Sequence, residues 1–193
     1  MIDFSRMRFV RSAMEPVHFP NLQKPEFAFS GRSNVGKSSL INMICKSTIA
    51  RVSKTPGRTQ AINFFEIQEL VFADLPGYGF AKVSKALRQQ WKSLIENYLE
   101  QRKELRLIVW IIDARREIDE PDLMYYDWLK YYRRKLFLVL NKIDKIPKNE
   151  LQKVTSRIIK AFPDEQFSLC SVLKHSGRDQ LAAAILDELK KPQ

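Results

Sequence analysis

The sequence has few of the features that mark secreted, membrane-spanning or repetitive proteins. Its 193 residues include two cysteines, Cys45 and Cys170, which cannot form a disulfide framework and lack the spacing of zinc ligands. The longest hydrophobic runs, 107–112 and 136–140, fall far short of the ~20 residues that cross a bilayer. Charged residues near the N-terminus interrupt any signal-peptide core. Neither a repeat nor a Gly/Ser/Pro-rich linker is present. We therefore expect a cytoplasmic protein with one main domain and no membrane insertion.

Positive charge is in excess. Lys and Arg number 33 against 22 Asp and Glu, a formal net charge of +11. This excess favours a polyanionic partner, such as nucleic acid or an anionic membrane surface, although it also aids solubility. Residues 131–135, Tyr-Tyr-Arg-Arg-Lys, fit stacking on unpaired bases and, equally, a helix end with core tyrosines. Other basic residues cluster at Arg6, Arg8 and Arg11, at Arg51, Lys54 and Arg58, and at Lys82, Lys85 and Arg88.

Strand-like and helix-like segments alternate along the chain. Prolines predict an irregular segment over residues 1–25. Three of the strand-like segments are nearly continuous hydrophobic runs, which is typical of a sheet covered on both faces. Only two residues separate 63–67 from 70–74, so these strands are predicted to form an antiparallel hairpin. The pattern predicts a three-layer α/β domain with a mostly parallel sheet. The predicted strands are 26–30, 63–67, 70–74, 107–113, 135–141 and, more weakly, 167–171, and the predicted helices are 37–46, 84–106, 122–134, 147–162 and 178–190.

Residues 31–38, Gly-Arg-Ser-Asn-Val-Gly-Lys-Ser, match the phosphate-loop pattern G-x-x-x-x-G-K-[ST] without a mismatch. They follow a predicted strand and open a predicted helix. The glycines let the backbone approach phosphate oxygens, and the N–H groups of the loop and helix face the anion. Lys37 is expected to reach the β- and γ-phosphates, and the Ser38 hydroxyl to bind Mg²⁺. The loop therefore predicts a nucleoside triphosphate site.

Residues 141–144, Asn-Lys-Ile-Asp, indicate which base is bound. Alone, this pattern is often a polar loop, but its place after a strand favours ligand binding. The Asp144 carboxylate can accept hydrogen bonds from guanine N1–H and the exocyclic amine, neither of which adenine offers at that edge. The stem of Lys142 can lie over the base, and Asn141 can connect this loop to the phosphate loop. The backbone of 171–174 is expected to face guanine O6.

Residues 74–77, Asp-Leu-Pro-Gly, end the predicted hairpin. Asp74 is expected to hold Mg²⁺ through a water, and the Gly77 N–H to contact the γ-phosphate, although Pro-Gly is also a common turn. The Pro/Gly/Thr loop 55–60 lies before the hairpin. In it we expect Thr59, rather than Thr55, to give the metal a second hydroxyl when the γ-phosphate is present.

Together these motifs resemble the EngB family of ribosome-assembly GTPases, relatives of Era and EngA. The resemblance rests on 31–42, 55–65, 74–83 and 141–144 and covers roughly residues 8–190. It implies an N-terminal extension over 1–23 and a Ras-like P-loop GTPase domain over 24–193. It also implies a role in late assembly of the large ribosomal subunit and a link to cell division and septation.

The same resemblance implies the residues of the site. Ser38 and Thr59 would bind Mg²⁺, with Asp74 acting through a water. The implied guanine-nucleotide contacts are Gly31, Arg32, Ser33, Asn34, Val35, Gly36, Lys37, Ser38, Gly57, Arg58, Thr59, Gln60, Ala61, Asp74, Leu75, Pro76, Gly77, Asn141, Lys142, Ile143, Asp144, Cys170, Ser171 and Val172.

Tyr78 stands where Ras has the glutamine that orients the attacking water. We therefore expect slow GTP hydrolysis, roughly 10⁻³ s⁻¹ or less. The expected catalytic residues are Lys37, Thr59, Gly77 and Asn34. Asn34 would help to hold a monovalent cation such as K⁺ in place of an arginine finger, as in some related GTPases. Alternatively, the ribosomal partner supplies the missing group; Arg58 is a weaker candidate.

Two other functions stay open at this point. A metabolic phosphotransferase would use the same phosphate loop, but residues 141–144 and the lack of an arginine-rich lid argue against it. A septum-associated scaffold would need a protein receptor, because the chain has neither a lipidation motif nor an amphipathic basic helix. We expect a monomer whose partners are guanine nucleotide and the large ribosomal subunit, with its rRNA and ribosomal proteins.

Overall fold

The structure is a computed structural model that describes residues 2–50, 61–79 and 85–192, without the side chains of residues 85, 86 and 88. The described strands are β1 (Arg8–Ala13), β2 (Glu26–Gly31), β3 (Ile62–Ile67), β4 (Leu70–Asp74), β5 (Leu105–Asp113), β6 (Leu136–Asn141) and β7 (Phe167–Leu169). The described helices are α1 (Lys37–Cys45), α2 (Lys85–Gln101), α3 (Glu120–Tyr131), α4 (Lys148–Ala161) and α5 (Arg178–Leu189). Short 3₁₀ turns cover Phe4–Arg6, Pro16–His18 and Ile143–Lys145.

The strands form one mixed sheet in the order β1-β3-β4-β2-β5-β6-β7. Strands β4, β2, β5, β6 and β7 run parallel, and β3 is antiparallel to both β1 and β4. The predicted hairpin is confirmed, with register from Asn63↔Asp74 to Ile67↔Leu70. In this topology the carboxyl ends of β2, β4, β5 and β6 lie along one edge of the sheet. Ligands of open α/β sheets bind at such an edge.

Helices cover both faces of the sheet, which confirms the predicted three layers. One apolar cluster joins α1 and α5 to the sheet, and a second joins α2, α3 and α4 to the other face. Every residue of β2 and of β6 is buried. Their continuous hydrophobic runs therefore reflect burial on two sides.

The irregular structure predicted for residues 1–25 is wrong for the segment that forms β1. This strand pairs with β3 from Arg8↔Glu66 to Ala13↔Ile62, with a bulge on the way. It lies at the edge of the sheet, and only Ala13 of its six residues is fully buried, so it has no hydrophobic alternation to detect. Phe4, just before it, is buried in the core. The domain boundary after residue 23 stays a prediction.

Helix ends differ from their predicted positions for local reasons. Helix α2 ends at Gln101 because β5 already begins at Leu105. Helix α3 begins at Glu120 because Asp119 caps it, and Asp119 and Asp122 form a capping box. Across the described part of the chain, each helix is either too short or too polar to span a bilayer.

Candidate nucleotide-binding site

The phosphate loop connects the carboxyl end of β2 to the first turn of α1. Gly36, the N-cap of α1, has φ of +103° and no side chain that caps the helix. A Cβ atom at Gly36 would lie 2.6 Å from Asn141 Nδ2, so both the backbone conformation and the space require glycine. The uncapped N–H groups of the first helical turn remain available to a phosphate group.

Lys37 and Asp74 put opposite charges at the floor of this loop. Burial lowers the pKa of Lys37, and the negative charge of Asp74 opposes that change. Burial also raises the pKa of Asp74, against the effects of Lys37 and of a hydrogen bond from Ser38. Both groups are therefore poorly solvated, and an anionic ligand with its counterion would stabilise their charged forms.

Ser38 and Asp74 fit a magnesium site. The Ser38 hydroxyl donates to Asp74 Oδ2 at 2.8 Å. Asp74 Oδ1 is buried, and none of the described residues donates a hydrogen bond to it. Hydroxyl and carboxylate oxygens are ligands that Mg²⁺ prefers, directly or through water. The other predicted ligand, Thr59, lies outside the described residues, as do Gly57, Arg58 and Gln60.

The Asp-x-x-Gly peptide passes close to the phosphate loop. It leaves β4 with Leu75 N–H bonded to the Phe29 carbonyl, and the Ser33 N–H donates to the Tyr78 carbonyl at 3.1 Å. A Cβ atom at Gly77 would lie 2.9 Å from Ser33 N and 3.2 Å from Lys37 Nζ. Glycine is thus needed at position 77, which lies beside the lysine expected to bind the γ-phosphate.

The Tyr78 side chain points into the core. Its hydroxyl donates to Asp122 Oδ1 at 3.0 Å and accepts from Trp110 Nε1 at 2.9 Å. Its ring stacks on Tyr125, with 3.9 Å between ring centroids. Burial and the charge of Asp122 raise the pKa of Tyr78, so the phenol stays neutral. In this arrangement the hydroxyl is engaged between β5 and α3.

The loop after β6 is tied to the phosphate loop, as predicted from the sequence. Asn141 Nδ2 donates to the Val35 carbonyl at 2.9 Å, and Lys142 Nζ donates to the Asn34 carbonyl at 2.6 Å. Asn141 Oδ1 is buried, and no described residue donates to it. The two loops therefore hold each other in place.

Asp144 lies beside the loop that follows β7. Its Oδ1 atom accepts from the Ser171 hydroxyl at 2.5 Å, and this hydrogen bond lowers the pKa of Asp144. The carboxylate is thus ionised, as an acceptor for guanine N–H groups must be. Ile143 N–H donates to the Cys170 carbonyl, which joins the two loops through their backbones. The Cys170 thiol itself is buried, and burial raises its pKa.

Other predicted contacts have side chains directed elsewhere. Arg32 points away from the phosphate loop toward α3, where its Nε donates to Asp122 Oδ1 at 2.7 Å and its Nη2 to Asp119. Ala61 immediately precedes β3. The structure brings the described parts of the predicted site to one edge of the sheet, namely 31–38, 74–77, 141–144 and 170–172.

Sequence reasoning missed two carboxylates at this edge. Asp113, the last residue of β5, accepts from Lys142 Nζ at 3.0 Å. Asp122, near the start of α3, accepts from both Arg32 and Tyr78. The only signal for Asp122 was its capping-box spacing from Asp119, and no sequence signal linked Asp113 to Lys142.

A phosphate loop, an Asp-x-x-Gly peptide and an Asn-Lys-x-Asp loop on the carboxyl edge of this sheet define a P-loop GTPase. A family model described as "50S ribosome-binding GTPase" matches residues 26–142. The probable GTP-binding protein EngB of Listeria welshimeri is 43% identical over 184 residues, 93% of this chain and 95% of its own. That of Trichlorobacter lovleyi is 44% identical over 190 residues, 95% of each chain. The chain belongs to the EngB family of GTP-binding proteins.

Solved structures are similar in fold. The crystal structure of a probable GTP-binding protein EngB has a TM-score of 0.69 and 23% identity, and the match covers 86% of this chain and 99% of that one. Era in complex with MgGDPNP and nucleotides 1506–1542 of 16S ribosomal RNA has a TM-score of 0.72 and 28% identity. That match covers 88% of this chain and 58% of Era.

Proposed function

We propose that this GTPase is a slow, Mg²⁺-dependent switch in late assembly of the large ribosomal subunit. The observation that carries the slow rate is the direction of Tyr78. Its hydroxyl is engaged by Asp122 and Trp110, so the position that orients water in Ras offers no polar group to the γ-phosphate. Turnover then depends on a group from elsewhere, and the GTP state persists until that group arrives.

Nucleotide state can be read through Gly77. This residue lies beside Lys37 and Ser33, where an added γ-phosphate would contact its N–H. Mg²⁺, held by Ser38 and Thr59 with Asp74 through water, would neutralise charge on the β- and γ-phosphates. Segments 53–63 and 74–88, which lie partly outside the described residues, would order around GTP and relax after hydrolysis.

Asn34 is the residue we propose for a monovalent-cation site. Its side chain is exposed, and its φ of +62° is unusual for a residue other than glycine. Its carbonyl is already taken by Lys142, so its side-chain oxygen is the group available to K⁺. Potassium would then supply the positive charge that an arginine finger gives in other GTPases.

Charge and relatives support a ribosomal partner. The net charge of +11 suits an RNA surface. Exposed cations of the described residues occur near β1, at Arg6 and Arg11, and along α4, at Lys148, Lys153 and Lys160. The matching family model is described as ribosome-binding, and the Era structure contains ribosomal RNA. We propose that a cytoplasmic monomer binds the large subunit, and that its link to division and septation follows from ribosome supply.

Co-sedimentation with separated ribosomal subunits tests this function. The protein is loaded with a non-hydrolysable GTP analogue, GDP or neither, at two salt concentrations. We expect binding to the large subunit that requires the analogue and weakens as salt rises, because phosphate contacts release counterions. Binding in no nucleotide state, with guanine nucleotide still bound, would contradict a ribosomal switch and favour a septum-associated scaffold.

Asp144→Asn is the matched control, because it should shift base preference from guanine to xanthine without touching the RNA surface. Its binding to the large subunit should require the xanthosine analogue and ignore the guanosine one. Single-turnover hydrolysis, measured in KCl and in NaCl with and without the large subunit, would show whether K⁺, the partner or both supply the missing group.

A further inference from the structure

Asp113 is held rigidly at the edge of the nucleotide site. It is the last residue of β5 and pairs in register with Asn141, the last residue of β6. Its Oδ1 accepts from the backbone N–H of Arg115 at 3.1 Å and from Arg115 Nε at 2.8 Å, and its Oδ2 from Arg115 Nη2 at 2.6 Å. Oδ2 also accepts from Lys142 Nζ at 3.0 Å.

The charge on Asp113 is permanent at working pH. Burial raises the pKa of Asp113, but hydrogen bonds from Arg115 and Lys142 outweigh this effect and lower the pKa to about 2. The carboxylate is nearly inaccessible, with 8% of its side chain exposed, whereas half of the Arg115 side chain is exposed. Lys142 thus meets a fixed and largely desolvated negative charge, a setting in which ion pairs are strong when hydrogen-bonded on all sides.

Lys142 is held both at its backbone and at its ammonium group. Its backbone has φ of +65°, a left-handed conformation, and its side chain reaches back to β5 and the phosphate loop. Its ammonium lies between Asp113 Oδ2, at 3.0 Å, and the Asn34 carbonyl, at 2.6 Å. Because the backbone and the tip are both held, the apolar stem between them has little freedom. This stem is the part expected to cover one face of the guanine base.

We propose that Asp113 is a positioning residue for guanine-nucleotide binding, which acts by holding Lys142 against the phosphate loop so that the lysine stem is pre-organised over the base. The role rests on guanine-nucleotide binding, which family membership provides, and is independent of the ribosomal partner. The Lys142 stem that Asp113 positions would contact the face of the base and not its hydrogen-bonding edge. Asp113 therefore sets affinity, whereas Asp144 sets the choice of base.

The test is Asp113→Asn, which keeps the size of the side chain and an acceptor for the Arg115 N–H but removes the charge. Binding is measured with fluorescent GDP and with a fluorescent GTP analogue. We expect both dissociation constants to rise by the same factor, about tenfold. The factor is the same because the lysine stem that becomes less ordered contacts the base and not the phosphates. In hydrolysis, KM should carry the effect, with kcat changed by less than about twofold.

Two further variants separate positioning from a purely structural role. Arg115→Gln removes the other cation on the same carboxylate but keeps the backbone N–H that donates to Asp113 and the Lys142 contact, so its affinity should fall much less than that of Asp113→Asn. Asp113→Glu restores the charge on a longer side chain and should recover part of the affinity. Thermal unfolding of the nucleotide-free proteins shows whether each variant is folded.

The ratio of GDP affinity to IDP affinity distinguishes loss of lysine positioning from a structural defect that also disturbs the loop of Asp144. IDP lacks the exocyclic amine that Asp144 is expected to bind, so this ratio reports on the edge of the base. We expect it to be unchanged in Asp113→Asn. Unchanged GDP affinity in Asp113→Asn, an equal loss in Arg115→Gln, or an altered GDP to IDP ratio would each overturn the proposal.

Discussion

The junction of Arg32, Tyr78 and Asp122 connects the phosphate loop and the Asp-x-x-Gly peptide to α3. Asp122 Oδ1 accepts from Arg32 Nε at 2.7 Å and from the Tyr78 hydroxyl at 3.0 Å. Only 6% of the Asp122 side chain and 16% of the Arg32 side chain are exposed. The perturbation to make is Asp122→Ala, which deletes the shared acceptor and leaves both donors in place.

The structure sets the size of the expected effect. Removing one partner of a buried ion pair costs about 3–5 kcal/mol. Arg32 keeps its contact with Asp119, whose side chain is 41% exposed, so the low end of that range applies. The Tyr78 hydroxyl keeps the bond it accepts from Trp110 but loses the one it donates, worth about 1 kcal/mol. We expect Asp122→Ala to lower the free energy of unfolding by about 3–4 kcal/mol, a large part of the ~5–15 kcal/mol of an ordinary domain.

Urea unfolding of the nucleotide-free protein measures this loss, and Asp119→Ala is the control. Asp119 caps α3 and contacts the same arginine from a more exposed position, so its removal should cost about 1–2 kcal/mol. A double-mutant cycle with Tyr78→Phe should give a coupling of about 1 kcal/mol with Asp122→Ala. The reasoning is refuted if Asp122→Ala costs no more than Asp119→Ala, or if the cycle is strictly additive.

Two further predictions concern the site and the core. Gly36→Ala would place a Cβ atom 2.6 Å from Asn141 Nδ2, on a backbone with φ of +103°. GDP affinity, measured by fluorescence titration, should therefore fall at least about tenfold while the protein stays folded. Unchanged affinity would contradict the requirement for glycine at this position. Burial raises the pKa of Glu26 above 4.5, against the effects of Arg102 and Tyr98. The stability that Glu26 contributes is therefore present below about pH 4.5 and is lost as pH rises through the pKa of the folded state. Glu26→Gln should remove this loss from a plot of urea stability against pH. A plot identical to that of the original protein would contradict this prediction.

The elements that carry the site were predictable because they combine two independent signals. Strands β2, β5 and β6 are buried on both faces, so their hydrophobic runs are visible without any knowledge of their neighbours. The phosphate loop follows β2, the Asp-x-x-Gly peptide follows β4, and the Asn-Lys-x-Asp loop follows β6, each at the carboxyl end of its strand. A parallel sheet brings such ends to one edge, which is why residues far apart in sequence could be assigned to one site.

Strand β1 and the basic segment 131–135 show what the sequence could not resolve. Strand β1 is stabilised by its ladder with β3 and by the Arg8–Glu66 ion pair, neither of which leaves a periodic pattern. In 131–135, two side chains face the protein, whereas stacking on unpaired bases stays a prediction. Tyr132 packs against Trp128 and Arg134 donates to the Leu99 carbonyl, whereas Tyr131 is 79% exposed. Which side chain faces inward depends on the direction in which α3 crosses the sheet, and this packing cannot be read from the sequence of 131–135.

The segment from Asp113 to Asp122 holds no nucleotide motif, yet its two end residues connect all the described motifs. Asp113 holds the base loop against the phosphate loop through Lys142, and Asp122 holds the phosphate loop and the Asp-x-x-Gly peptide through Arg32 and Tyr78. Each motif is expected to bind its own part of the nucleotide, and these two carboxylates add to the direct bonds that fix the motifs relative to one another. A change in either should therefore weaken nucleotide binding or folding without removing any group that touches the ligand, and no motif-based reading of the sequence would foresee it.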